Sequence, residues 1–220
     1  MCGRYTLYHD EEDLTALFDL DAFPVTPRYN VAPTQHVPIV RADADGRRER
    51  LTARWGLIPA WVKDPAAFKT LLFNARSESI AEKPSFRDAA RRARCAVPAS
   101  GFYEWKTLEN GQKQAWYVHR RDGAPLVLAG LYAVRAQGEP HASATILTTD
   151  PNPTVARLHD RMPVVLDPAD LQRWLDPETF DVGALADLLQ PCPDDWLVAY
   201  PVGREVGNAR VDDPRLIQRA

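Results

Sequence analysis

The sequence predicts an α+β domain built mostly from antiparallel sheet, and three observations carry that expectation. Short apolar runs follow one another through the middle of the chain. Tight-turn dipeptides separate them. The helical patterns are few and short, and they do not alternate regularly with the strands. The 220 residues, 45% hydrophobic and 26% charged, are enough for a sizeable core. No repeat, low-complexity segment or linker divides them, so a single domain over 1–220 is expected.

In chain order, Asp10 is placed to cap a short helix with Leu14, Leu17 and Phe18 on one face. The stretch VPIVRADADGRRERLTARW (37–55) reads as a hairpin turning at Asp45-Gly46, a pair that accepts the left-handed backbone of a tight turn. SFRDAARRA (85–93) predicts a helix. RCAVPA, GFYEWKTL, QAWYVHR, LVLAGLYAV and SATILTT, spread over 94–149, read as successive strands, with turns at Asn110-Gly111 and Asp122-Gly123. NPTVARLHD (152–160) predicts a helix with Pro153 in its first turn. A strand MPVVL, helices PADLQRWL and VGALADLLQ, and a last strand WLVAYPV follow.

Composition removes several classes of function. The longest apolar run, 124–134, is about half of a membrane span, and no basic segment leads into an apolar stretch at the N-terminus. Neither a membrane location nor a secretory signal is expected. Cys2, Cys95 and Cys192 are odd in number, widely spaced and never in a CxxC arrangement, which argues for a reducing cytosol rather than a disulfide framework. The five histidines are scattered with no HExxH, so no metal and no cofactor are expected. The net charge of −3 is unevenly spread. Basic residues gather at 46–50 and 86–94, acidic ones at 8–14 and 176–195, which leaves room for a basic face on a net-acidic molecule.

Several polar residues sit where packing does not ask for them. Cys2 follows the initiator methionine and is small enough for Met1 to be trimmed. The new end would then carry an amine and a thiol on adjacent carbons. Asn74 and Arg76 face one side of an extended segment. Glu104 lies between Tyr103 and Trp105, where desolvation should raise its pKa toward the range useful for proton transfer. His159 closes a helical stretch near Arg161, and Asn30 and Pro33 share a rigid turn. Each also has a plain structural reading: a strand start for Cys2, a turn cap for Asn74, a core ion pair for Glu104, a helix cap for His159.

The ordered set MCGRY, RYNVAPTQ, ARWGLIPAW, FNARSES, RCAVPASGFYEWK, LHDRMPVVL and VGNARVDDPRLI resembles the SRAP (SOS-response-associated peptidase) family, from Cys2 to about Ile217. Members of that family shield abasic sites in single-stranded DNA. The resemblance implies an SRAP-like fold and a covalent thiazolidine crosslink formed by a processed, N-terminal Cys2. Asn74, Glu104 and His159 would act beside it. Arg4, Arg76 and Arg161 match positions that contact phosphates, and Pro33 and Trp61 match an apolar wedge. Val62 stands where a relative has a second tryptophan. Thr148 falls near the lesion, and Arg54 and Trp55 brace the site. The implied partner is abasic single-stranded DNA without sequence-specific readout, and the implied location is cytoplasmic, at the nucleoid when DNA-bound. The alternative in the family's name is a thiol peptidase or amidohydrolase using Cys2, including removal of its own Met1.

Overall fold

In a computed structural model, residues 2–135 and 141–220 are described. Among them the chain forms β1 (Tyr5–Leu7), α1 (Glu11–Phe18), β2 (Arg28–Val31), β3 (His36–Ala42), β4 (Arg48–Trp55), β5 (Asn74–Arg76), α2 (Arg87–Arg92) and β6 (Arg94–Ala99). It continues with β7 (Gly101–Thr107), β8 (Lys113–Arg120), β9 (Leu126–Val134), β10 (Ala142–Thr149), α3 (Pro153–Ala156), β11 (Met162–Pro163), β12 (Val165–Leu166), α4 (Leu171–Leu175) and β13 (Leu197–Pro201).

Two sheets result. One runs β13-β8-β7-β1-β2, antiparallel throughout. The other contains the ring β10-β4-β3-β6-β9, and β9 pairs back onto β10, so five strands close into a small barrel. Closure removes the exposed strand edges that an open sheet would have to protect. The near-continuous apolar runs of β6, β9 and β10 follow from this, because their residues are buried on both faces. The α+β expectation therefore holds, with two parallel contacts, β4 and β5 against β10, inside a mostly antiparallel architecture.

Local chemistry explains most element boundaries. Asp10 caps α1 by accepting from the Asp13 amide at 2.9 Å, and Leu14 and Phe18 are buried, as the pattern predicts. The C-terminal motif is pinned by Asn30, whose amide nitrogen donates to the carbonyls of Val206, Asn208 and Val211 at 2.8–3.2 Å. Asp212 returns the contact, accepting from the Tyr29 and Asn30 amides and pairing with Arg28. Gly101 is required by a close approach: a Cβ there would meet the Tyr117 hydroxyl at 2.4 Å, and that hydroxyl bonds Thr6 at 2.8 Å.

Three expected elements differ. The helix over 152–160 stops at Ala156, since Leu158 and His159 both donate to the Val155 carbonyl and the chain turns to pair with β10. VGALADLLQ is a 3-10 helix over Val182–Leu189, and its buried Val182, Leu185 and Leu188 fall at the three-residue repeat of that helix. MPVVL breaks in two: β11 pairs with β10 and β12 with β9, while Val164 bridges both, donating to Leu147 and accepting from Ala129. No helix among the described residues is long and apolar enough to cross a membrane.

Candidate active site

The N-terminal segment reaches the site along β7. Tyr5 pairs with Phe102 and Thr6 with Gly101, and the Tyr103 amide donates to the Arg4 carbonyl at 3.0 Å. Residues 2–4 precede β1, and the Glu104 carboxylate of β7 is close enough to act on the Cys2 thiol. The barrel meets this segment through β5, held parallel to β10 with Asn74 opposite Ile146. Asn74 donates from its side-chain amide to the Cys2 carbonyl at 2.8 Å, so two sheets are stitched together at residue 2. Asn74 Oδ1 is buried with no hydrogen-bond partner among the described residues.

Trp55 braces the junction, as expected. Its ring meets Tyr5 at 5.2 Å and Phe73 at 6.1 Å, and its indole donates to the Phe73 carbonyl at 2.8 Å. The Arg54 guanidinium donates to the Gly56 carbonyl at 2.8 Å. Trp55 also exchanges backbone bonds with Thr34 and Gln35, fixing the turn that carries half-buried Pro33. Within that turn Thr34 has φ 78°, a left-handed backbone that costs a β-branched residue roughly 1–2 kcal/mol.

Electrostatics separate the roles of the titratable groups. Glu104 is 2% exposed, and burial raises its carboxyl to about 7, with the charge of Asp160 pushing the same way. Cys2 is fully buried; burial, then the Glu104 carboxylate, push its thiol far above the ordinary range. Burial lowers His159. Its Nδ1 accepts from the Arg161 amide at 3.0 Å, yet also lies 2.7 Å from the Asp160 carboxylate, which calls for a proton on the same nitrogen. The lowered pKa favours the neutral imidazole near pH 7. A neutral thiol, a half-ionised carboxyl and a neutral imidazole thus serve nucleophilic and proton-transfer chemistry near pH 7.

Of the residues expected on DNA, the structure turns two inward. Arg161, its side chain 10% exposed, gives Nη1 to Glu78 and Asp150 at 2.7 and 2.8 Å and Nη2 to Glu78 and the Thr148 carbonyl at 2.9 and 2.7 Å. The pairing also holds the Glu78 carboxyl below its usual range. Thr148 is fully buried, its hydroxyl 3.4 Å from the Ala75 carbonyl. In the free protein Arg161 is therefore held by Glu78, Asp150 and the Thr148 carbonyl, and Thr148 lies opposite Arg76 where β10 runs beside β5. Arg76 is exposed on the Asn74 side of β5, Arg4 is half-buried, and Trp61 is 58% exposed beside a cleft of about 470 Å³. None of Cys2, Asn74, Glu104 and His159 lines that cleft. Arg161→Ala is expected to destabilise the fold by about 3 kcal/mol, since it removes charge-assisted bonds and orphans the Thr148 carbonyl. Denaturant unfolding checks it, with Arg161→Lys recovering only part.

Asp160, Glu78 and Asp150 were not foreseen. Only Asp160 carried a signal, an acid next to the candidate histidine.

Comparison with known proteins now bears on the assignment. A closed barrel stitched to an antiparallel sheet around a buried cysteine is the architecture in question. The family model of SOS response associated peptidase (SRAP) matches residues 1–209, and the chain belongs to that family. It is 39% identical to the abasic site processing protein YoqW of Bacillus subtilis over 99% of both chains. It is 30% identical to the abasic site processing protein YedK of Escherichia coli, again over 99% of both. A crystal structure of a Bacteroides thetaiotaomicron protein superposes with a TM-score of 0.85 at 27% identity, covering 100% of each chain.

Proposed function

We propose that this protein recognises abasic sites in single-stranded DNA and captures them covalently through Cys2 once Met1 is removed. The observation that carries the proposal is the pairing of Cys2, held by Asn74, with a buried Glu104 whose carboxyl titrates near 7. The names of YoqW and YedK support the lesion.

The abasic sugar in its ring-opened form is an aldehyde. The α-amine adds to that carbon, water leaves, and the thiol closes on the resulting imine to give a five-membered thiazolidine. Availability favours the amine as first nucleophile: near a pKa of 7.7–8.0, roughly a tenth to a sixth is neutral at pH 7, against about 0.04% for a lysine. Glu104 gives a proton to the departing hydroxyl and accepts one from the thiol. His159, a neutral imidazole near pH 7, serves the sugar oxygen during ring opening and reversal. Asn74 holds the terminal residue in place. Arg4 and Arg76 meet flanking phosphates, and Pro33 and Trp61 stack against a neighbouring base.

A thiol peptidase would need a thiolate stabilised by an adjacent cation. Burial and Glu104 push Cys2 the other way. An imine needs no thiolate in advance, so the crosslinking reading fits the electrostatics better.

Intact mass, before and after incubation with an abasic single strand, tests the proposal. The expected protein is lighter by one methionine residue and gains one strand, with no gain on intact DNA. Full retention of Met1 in a preparation that still crosslinks overturns the thiazolidine chemistry.

A further inference from the structure

A second cleft, about 330 Å³, opens between β1, β3, β4 and the segment 24–28. Its lining includes Tyr5, Arg28, His36 and Arg50 against Pro24, Val25, Val37 and Pro38, and no carboxylate among the described residues. Asp212, which pairs with Arg28, is already taken by that guanidinium and by the Tyr29 and Asn30 amides. Arg50 makes no ion pair among the described residues; its guanidinium rests over the Phe23 ring at 5.4 Å. Two of the lining residues carry a buried polar atom with no hydrogen-bond partner among the described residues, Arg50 at Nε and Tyr5 at its hydroxyl.

Buried polar groups left unpaired are uncommon and ask for a reason. Arg50 Nε can only donate, so the missing partner is an acceptor. Arg28 is held by Asp212, so Arg50 is the guanidinium here with no acidic partner among the described residues; its charge favours an acceptor that is an anion, and an arginine fork suits phosphate oxygens. The volume exceeds that of a lone phosphate, and the proline and valine walls suit an attached sugar or base. We infer that this cleft binds the phosphate of a nucleotide, supplied either by a DNA strand crossing the protein or by a free nucleotide. Cys2, Asn74, Glu104 and His159 do not line the cleft, although its Tyr5 is within electrostatic reach of Cys2, and phosphate binding there does not depend on aldehyde chemistry.

Calorimetry with inorganic phosphate and with 2′-deoxyadenosine 5′-monophosphate tests it on the intact protein. Wild type should bind both in the millimolar range or tighter, and Arg50→Gln should bind each at least tenfold more weakly while melting like wild type. Tyr5→Phe provides a second variant: removing an unpaired hydroxyl leaves the free protein as stable or more so, while phosphate binding weakens. The source is read from lesion-free single-stranded DNA titrated against salt. If the strand supplies the phosphate, the log–log slope of affinity flattens by about 0.7 in Arg50→Gln; if a free nucleotide does, the slope stays while nucleotide binding falls. Either result supports the site. Undetectable phosphate binding, nucleotide binding without phosphate binding, or equal affinities in wild type and Arg50→Gln would overturn it. Because neither probe carries an aldehyde, that failure leaves the crosslinking proposal standing.

Discussion

Cys2→Ser is expected to carry out the first half of the capture and lose the second. The variant keeps the α-amine, so a Schiff base with the abasic aldehyde should still form and be trapped by borohydride. A hydroxyl is a much poorer nucleophile toward the imine than a thiol, so heat-stable adduct should fall to background. Cys2→Ala should behave the same way, since its amine survives. A peptidase predicts another pattern, in which Cys2→Ala abolishes all activity and wild type turns over peptides. The readout is a denaturing gel with abasic, uracil-containing and intact oligonucleotides, run beside a peptide-hydrolysis series. Multiple-turnover peptide cleavage without adduct would sink the covalent reading, as would equal adduct on intact DNA.

Glu104→Gln should slow adduct formation by about 10²-fold, the usual order for loss of a general acid–base. The limb of the wild-type pH–rate profile near 7 should vanish with it. The same substitution has a stability signature of defined sign. The Glu104 carboxyl moves from an ordinary 4.5 to about 7 on folding, so the native state holds its proton more tightly than the unfolded one. That contribution is fully present below about 4.5, declines as pH rises through the interval to 7, and is gone above it. Glutamine has no such dependence. Relative to wild type, the variant should gain on the order of 3 kcal/mol between pH 4.5 and 8, a rise of roughly 6–12 °C in the melting-temperature difference for a chain of this size. Parallel melts at several pH values check it; a constant difference would mean that Glu104 is not held protonated by burial.

How much of this was legible in the sequence depended on how local its cause was. Strands β7 to β10 announce themselves through aromatic and β-branched runs closed by Asn-Gly and Asp-Gly turns, all short-range signals. β1, β2 and β5 have three or four residues each and exist because of partners far along the chain, as when Asn74 pairs with Ile146. No window of sequence contains that pairing. The same division runs through the site. The burial of Glu104 follows from its strand neighbours, and the shared side of Asn74 and Arg76 follows from strand period. The bond from Asn74 to the Cys2 carbonyl is a meeting of two sheets; the family resemblance set Asn74 beside Cys2 but implied a bond to the terminal amine or the sugar hydroxyl, not to this carbonyl. Arg161 shows the cost of reading side chains without their surroundings. An arginine beside a candidate histidine suggests phosphate, but Glu78, 83 residues away, takes its fork.

The complete burial of Cys2 turns removal of Met1 into a question of timing. β1 cannot pair with β7 until Phe102 has been synthesised, because Tyr5 and Phe102 are partners. At about 5–20 residues per second, that leaves a window of roughly 5–20 s in which residue 2 is on an open, unpaired chain. An aminopeptidase working on the nascent chain can reach the bond then. After the sheet closes, Cys2 is buried, and an enzyme acting at residue 2 would need a locally unfolded N-terminus. Translation speed and aminopeptidase supply would thus set the active fraction before any DNA is met.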